Sequence, residues 1–339
     1  MTSVRSRLAG VAAHLPQATM STAELEDLLA ERNPALELPR GVIHNGSGVR
    51  RRHVAAPHEK PSDLAAHAAR QLLAEQDLRA DDLDLLIFAS VTMDLIEPAT
   101  APIVAAKLGA GCLAFDVRNA CNSVLNAIQV ADALIAAGRH RRVLICSGEM
   151  ATAFMPWTLR DTNEFFTFAA AYTVGDAGAA LLLEAATEPG VLGHRFTAHS
   201  AGWEAATVRA LNLTTDPAAD WPVIEPLTVN AVELARSLER TDLTVLPKAI
   251  AELGLTWDDF AAICVHQASL PALWKFCEHV GIPQDKVVVT IAQHGNLIAA
   301  TLPVQLAQAV AAGRVRRGDL VALVGLASGF SVGIVVVRW

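Results

Sequence analysis

Apolar positions fall into blocks that occur twice along the chain. Residues 78–88 (LRADDLDLLIF) are matched by residues 255–265 (LTWDDFAAICV) at an offset of 177. In each block a polar, aspartate-bearing turn runs into an apolar stretch, the pattern of a buried strand. Two alanine-rich segments, 124–137 and 297–312, have helical character; in the first, Val124, Leu125, Ile128, Ala131, Leu134 and Ile135 form one apolar stripe. Each runs into a basic turn, Gly138-Arg-His-Arg-Arg142 or Gly313-Arg-Val-Arg-Arg317, offset by 175, and then an apolar run (VLICSG or LVALVG). Two copies of strand, helix and strand predict an α/β fold of two duplicated halves, residues 1–185 and 186–339. Chance similarity between two such units is the alternative. Residues 320–337 carry no charge over 18 positions, long enough for a crude membrane filter. Gly325, Ser328, Gly329, Ser331 and Gly333 interrupt the run, which therefore predicts two buried strands around a turn.

Composition narrows the class. The 339 residues are 52% hydrophobic and 18% charged, so a large core is available and wholesale disorder is excluded. A net charge of −8 argues against a general nucleic-acid binder, which needs a basic face. The run Arg50-Arg51-Arg52 reads as a solvated loop, with Arg50 the candidate to touch a phosphate-bearing ligand. Five cysteines without framework spacing fit reduced thiols in a cytosol. The start, Met1-Thr-Ser-Val-Arg5, has no apolar signal core. A soluble cytoplasmic protein is expected, with neither nucleic acid nor membrane as partner.

The duplication carries chemistry with it. Offsetting Cys121 by 175 gives Asn296, so both are expected at the starts of equivalent helices. Offsetting Ala89 by 177 gives His266, at the end of a repeated strand, where ligands of α/β sheets collect. Packed about a pseudo-twofold axis, the halves would bring Cys121, His266 and Asn296 together. A thiol at a helix start is expected to favour the thiolate, because the helix end is positive and its N–H groups are free. Cys112, before a strand, Cys146 and Cys264, in apolar runs, and Cys277, in a helix, read as small buried hydrophobes. His266 and His294 lie in segments suited to Cys/His nucleophilic chemistry. Zinc is the competing use of such residues, but no CxxC or HxxxH pair occurs, so neither metal nor cofactor is expected.

These segments resemble a known family. Asp116-Val-Arg-Asn-Ala-Cys-Asn-Ser123, Val265-His-Gln-Ala268 and His294-Gly-Asn-Leu-Ile-Ala-Ala-Thr301 are similar to the β-ketoacyl-acyl-carrier-protein synthase III branch of the thiolase superfamily. Gly48-Val-Arg-Arg-Arg-His-Val-Ala-Ala-Pro57, Gly175-Asp-Ala-Gly-Ala-Ala180 and Gly329-Phe-Ser-Val-Gly333 add to the match. The resemblance implies a thiolase fold, a five-layer αβαβα arrangement, in a homodimer acting on acyl thioesters of acyl carrier protein or coenzyme A. It implies that Cys121 is the acylated nucleophile and that His266 and Asn296 hold the oxygen of the incoming enolate. The backbone N–H groups of Cys121 and Ser328 would form an oxyanion hole.

Departures from the family pattern sharpen this reading. Ser269 replaces an Asn expected to contact the pantetheine arm. Positions near Val42 and Gly46 lack the Trp and Arg that clamp the adenine of coenzyme A, which favours a carrier-protein donor. Glu97, 24 residues before Cys121 in Asp94-Leu-Ile-Glu-Pro-Ala-Thr-Ala101, resembles the base of head-to-head condensing enzymes of olefin and pyrone biosynthesis. There it crosses the dimer interface. Condensation without decarboxylation needs such a base, and an apolar tunnel would raise its pKa. A helix-start glutamate before Pro98 is the alternative. The expected reaction is loading of Cys121 followed by Claisen condensation to a 1,3-dicarbonyl product. The rivals are decarboxylative synthesis from malonyl-carrier protein, acyl transfer to a hydroxyl or amine, and a silent partner in a heterodimeric synthase.

Overall fold

Two sheets with the same strand order face each other across a layer of helices. The computed structural model describes residues 4–211 and 223–339; Met1 to Ser3, part of the segment read above for a signal core, lie outside them. The first sheet runs, edge to edge, Arg5–His14, Asp176–Ala186, Arg142–Met150, Leu85–Phe88 and Leu113–Asp116. The second runs Val191–Ala198, Ser331–Arg338, Leu320–Ala327 and Ala262–Val265. Pairing directions also correspond. Leu85–Phe88 is parallel to Arg142–Met150 as Ala262–Val265 is to Leu320–Ala327, and the next two pairings are antiparallel in both sheets. Even the fifth strand of the first sheet has a counterpart, a single parallel bridge from Ile263 to Val287. Uncharged residues 320–337 form the expected pair of buried strands around a turn.

Alternation along each strand sorts side chains between layers. Leu85, Ile87, Val143, Ile145, Leu181 and Leu183 face the helix Ser123–Ala136, while Leu86, Phe88, Leu144 and Leu182 face Pro61–Glu75 and Thr100–Leu108. In the second sheet Ala262, Cys264, Val321, Leu323, Val335 and Val337 join the same central core, which includes Ala299, Leu302 and Leu306 around the helix Thr301–Ala311. Ile263, Val265, Ala322, Val324, Ile334 and Val336 turn outward onto Val245–Ala251 and Leu270–Val280. The result is five layers, helix, sheet, helix, sheet, helix, as the thiolase resemblance implies. Arg317 also bridges the sheets, lying over the Trp339 ring at 4.2 Å and donating to the Leu8 carbonyl at 3.2 Å.

Two readings need correction. The run Arg50-Arg51-Arg52 is not a solvated loop throughout. Arg52 is fully buried, donates to the Tyr172 carbonyl and to Thr22 Oγ1, and burial lowers its pKa to about 10. The second helix begins at Thr301, preceded by the single turn Ile298–Ala300, so Asn296 lies ahead of it rather than at its start. No helix among the described residues is long and apolar enough to cross a membrane.

Helix Pro61–Glu75 rides directly on glycines of the first sheet. A Cβ on Gly178 would stand 1.9 Å from the Leu64 carbonyl oxygen, with no flexible side chain to yield. Gly178→Ala should therefore destabilise the protein by about 2–3 kcal/mol. Gly111→Ala, with open space at the Cβ position, should leave stability nearly unchanged. Thermal unfolding of the two variants checks this; equal midpoints would show that the helix does not depend on close approach.

Candidate active site

Cys121 sits in a tight turn between strand Leu113–Asp116 and helix Ser123–Ala136. Ala120 adopts a left-handed backbone (φ 46°), uncommon for a residue with a Cβ, and this turns the chain sharply before the thiol. Ser123 Oγ locks the turn by accepting from Asn119 N–H at 2.9 Å and donating to the Ala120 carbonyl at 2.6 Å. Asn122, wholly buried, carries the segment to the other half. Its Nδ2 donates to Ser331 Oγ at 2.9 Å, and its side chain fills the space that a Cβ on Gly325 would occupy.

The second half reaches this turn where Gly325 meets Asn122. His266 follows strand Ala262–Val265, and its N–H bonds the Val324 carbonyl at 2.9 Å, next to Gly325. Gln267 holds this corner, donating to the Val288 carbonyl and accepting from Thr290 and Ile291 N–H. Burial lowers the pKa of His266 to about 4, so the imidazole is neutral near pH 7; its Nδ1 has no partner among the described residues. Asn296 is 7% exposed and accepts Ile298 N–H through Oδ1 at 2.9 Å. That bond fixes the amide orientation and leaves Nδ2 to donate to a ligand.

A buried carboxylate that sequence reasoning missed links these segments. Glu149, fully buried at the end of strand Arg142–Met150, accepts Val91 N–H at 2.9 Å, Thr92 N–H and hydroxyl at 3.1 Å, and the Ala299 N–H. It thus joins the loop leading to Glu97 with the loop following Asn296. Burial raises its pKa to about 7 despite these donors. Its position in the apolar-bounded run Val143-Leu-Ile-Cys-Ser-Gly-Glu149 was the available signal, since a charge ending a buried strand needs partners.

Glu149 also overturns one expectation. The helix-start position was expected to favour the Cys121 thiolate. Instead burial, and then the charge of Glu149, push the thiol up to about 12, outweighing the backbone N–H that favours the anion. The residue is half-buried, and its thiol lies deep among protein atoms. As expected, Cys146, Cys264 and Cys277 are buried within strands or a helix, whereas Cys112, expected with them, is only half-buried just ahead of the edge strand Leu113–Asp116.

The remaining candidates lie around this centre. His294 is committed elsewhere. Gln308 Nε2 donates to its Nε2, its Nδ1 donates to His53 Nε2 at 3.1 Å, and His53 Nδ1 donates to the Pro16 carbonyl. Ser269 Oγ caps helix Leu270–Val280 by accepting Ala272 N–H at 3.3 Å, so part of its hydrogen-bonding capacity is already used. Arg50 is exposed, its backbone held by Thr22 and Ala292. Ser328 opens the turn between strands Leu320–Ala327 and Ser331–Arg338, beside the Asn122 contact to Ser331. Glu97 is exposed on the edge of the protein with Leu95 and Ile96. It does not cap the helix Thr100–Leu108; Asp116 does, accepting Thr100 N–H at 2.9 Å and Ala101 N–H at 2.7 Å.

A thiol held near 12 has a defined signature. Alkylation of Cys121 by iodoacetamide should rise about tenfold per pH unit from pH 7 to 10, without the levelling near 9 of an ordinary cysteine. Glu149→Gln removes the repelling charge and should speed alkylation at pH 8. A wild-type profile that levels near pH 8, unchanged in Glu149→Gln, would contradict the assigned electrostatics.

Comparison with known proteins agrees with this geometry. The family model for 3-oxoacyl-[acyl-carrier-protein] synthase III matches residues 115–201, and the model for its C-terminal part matches residues 250–339. The chain is 35% identical to the β-ketoacyl-[acyl-carrier-protein] synthase III of Cereibacter sphaeroides, with 99% of each chain covered. Among solved structures, the 3-oxoacyl-[acyl-carrier-protein] synthase III of Aquifex aeolicus superposes with a TM-score of 0.83 at 26% identity, covering 98% of this chain and 100% of that one. Cerulenin-bound OleA of Xanthomonas campestris superposes with a TM-score of 0.86 at 25% identity, covering 99% and 98%. A shared five-layer fold and end-to-end similarity to these synthases lead to one assignment: the chain belongs to the β-ketoacyl-[acyl-carrier-protein] synthase III family of thiolase-fold condensing enzymes.

Proposed function

We propose that this chain is a cytoplasmic, homodimeric acyltransferase that joins two acyl thioesters without prior decarboxylation. Residues 1–185 supply the nucleophile and residues 186–339 the His266/Asn296 pair. In the first half-reaction Cys121 Sγ attacks the thioester carbonyl, and the N–H groups of Cys121 and Ser328 hold the developing oxyanion, each contributing about 3–4 kcal/mol. The carbonyl then re-forms, the carrier thiol leaves with the proton lost by Cys121, and the acyl group remains on Cys121.

In the second half-reaction Glu97 of the partner subunit removes a proton beside the carbonyl of a second acyl or β-ketoacyl thioester. Asn296 Nδ2 and the neutral His266 donate hydrogen bonds to the enolate oxygen. A neutral imidazole serves here as a hydrogen-bond donor and does not need to be charged. The enolate carbon attacks the acyl-Cys121 carbonyl, a carbon–carbon bond forms and the bond to Cys121 Sγ breaks; the leaving thiolate takes up a proton in place of the one Glu97 removed, and a 1,3-dicarbonyl thioester is released. A carrier protein is the favoured donor, because Val42 offers no aromatic face for adenine; Arg50 and Ser269 are the candidate contacts to the phosphopantetheine arm. No metal or cofactor enters this scheme.

The observation that carries the proposal is the freedom of Glu97. Its alternative role as a helix cap is filled by Asp116, and it stands exposed on an apolar edge. That edge supports the dimer. Ile96 is 85% and Leu113 63% exposed, and strand Leu113–Asp116 ends the first sheet with one side unpaired among the described residues. Five free cysteines suit a reducing cytoplasm. The second reading, decarboxylative condensation with malonyl-carrier protein, draws support from the relatives at 30–35% identity that bear the synthase III name.

Glu97→Gln tests the choice. Acylation of Cys121, read by intact-protein mass, should survive, while condensation of non-carboxylated thioesters should fall by roughly two to four orders of magnitude. Undiminished condensation would remove Glu97 as the base, and turnover that depended on malonyl-carrier protein would establish the second reading. His266→Ala and Asn296→Ala should retain loading and lose most condensation. Equal loss of both half-reactions would contradict the enolate assignment.

A further inference from the structure

A second cluster of chemistry-bearing side chains lies away from Cys121. His14 ends the edge strand Arg5–His14, at the opposite edge of the first sheet from Leu113–Asp116. His67 lies on the helix Pro61–Glu75, and Glu59 in the loop just before it. One potential ligand atom from each lies within 4.8 Å of the others. The two imidazole rings stand 4.7 Å apart at 34°, and Glu59 Oε1 faces His67 Nε2 at 3.9 Å. Two backbone segments remote in sequence meet here, the end of the edge strand and the stretch from Glu59 to His67, so the grouping is not a by-product of helical spacing.

We propose that His14, Glu59 and His67 form a binding site for a zinc ion, distinct from the condensing site. The donor set is two imidazoles and one carboxylate, which suits zinc with a water in the fourth position. Tetrahedral zinc at about 2.0–2.1 Å from each ligand needs donors ~3.3 Å apart, so the present spacing closes by small rotamer changes. The backbones beneath are rigid. His14 pairs with Gly178 in the sheet, and Gly178 touches Leu64 on the helix that carries His67. Glu59 is oriented by its own loop, with Oε2 accepting Ala56 N–H at 2.7 Å, which leaves Oε1 for the ion. Zinc here would clamp the edge strand to the outer helix, adding stability to the first half without touching the reacting groups.

Cobalt(II) absorption and zinc calorimetry on the full chain test this directly. The wild type should bind one zinc ion at micromolar affinity or tighter, show tetrahedral cobalt bands, and melt higher with zinc present. His67→Ala and Glu59→Gln should each weaken binding at least about tenfold and abolish the thermal shift. His67 is 45% exposed, so the substitution leaves the fold intact, which circular dichroism verifies. Cys121→Ala should retain full zinc binding. Absence of saturable binding in the wild type, equal affinity in the His67 and Glu59 variants, or loss of binding in Cys121→Ala would each overturn the proposal.

Discussion

Both sheets bury one face against the same helical layer, and the rest of the molecule follows from that constraint. Helices Ser123–Ala136 and Thr301–Ala311 share one core with inward residues of both sheets. Neither half can therefore cover its inner sheet face alone. Because the two sheets share strand order, the loops leading into these helices arrive at one place. The Cys121 turn comes from one half, and the Asn296 loop with the His266 strand end comes from the other. Asn122 against Gly325 and Glu149 against Ala299 fasten the meeting point.

Burial then decides the chemistry available there. The same desolvation that raises the Cys121 thiol to about 12 and Glu149 to about 7 lowers His266 to about 4. All three shifts favour the neutral form. Near pH 7 Cys121 and His266 are therefore neutral and Glu149 is only partly ionised, and fixed donors acquire their value when a substrate oxygen becomes negative. That is the electrostatic arrangement expected of an acyl-transfer site, in which stabilisation is reserved for the transition state.

Much of this was legible in the sequence because duplication multiplies weak signals. A single DLDLLIF run indicates only a strand; its echo at residues 255–265 indicates a second sheet and a counterpart site. The pattern alone indicated two α/β halves; the five layers were implied by the resemblance to the thiolase branch. What escaped the sequence were pairings between distant segments. Arg52 looked like one of three solvated arginines because its acceptors, Tyr172 and Thr22, are remote in the chain. Glu149 showed only as a charge ending a buried strand; its four donors come from two remote segments, residues 91–92 and Ala299. The thiolate expectation rested on the helix end, a local effect, and was outweighed by burial and a non-local carboxylate. Asp116 was read only as part of a motif, yet its capping of Thr100 and Ala101 is what frees Glu97.

The central claim is that Glu97 serves the Cys121 of the opposite chain, and mixed dimers test it most directly. One dimer carries Glu97→Gln on one chain and Cys121→Ala on the other; a second carries both substitutions on one chain beside a wild-type chain. With condensation of non-carboxylated thioesters as the readout, the account predicts turnover in the first dimer and none in the second. Turnover confined to the second dimer would place the base in the same chain as its nucleophile, contradicting the account.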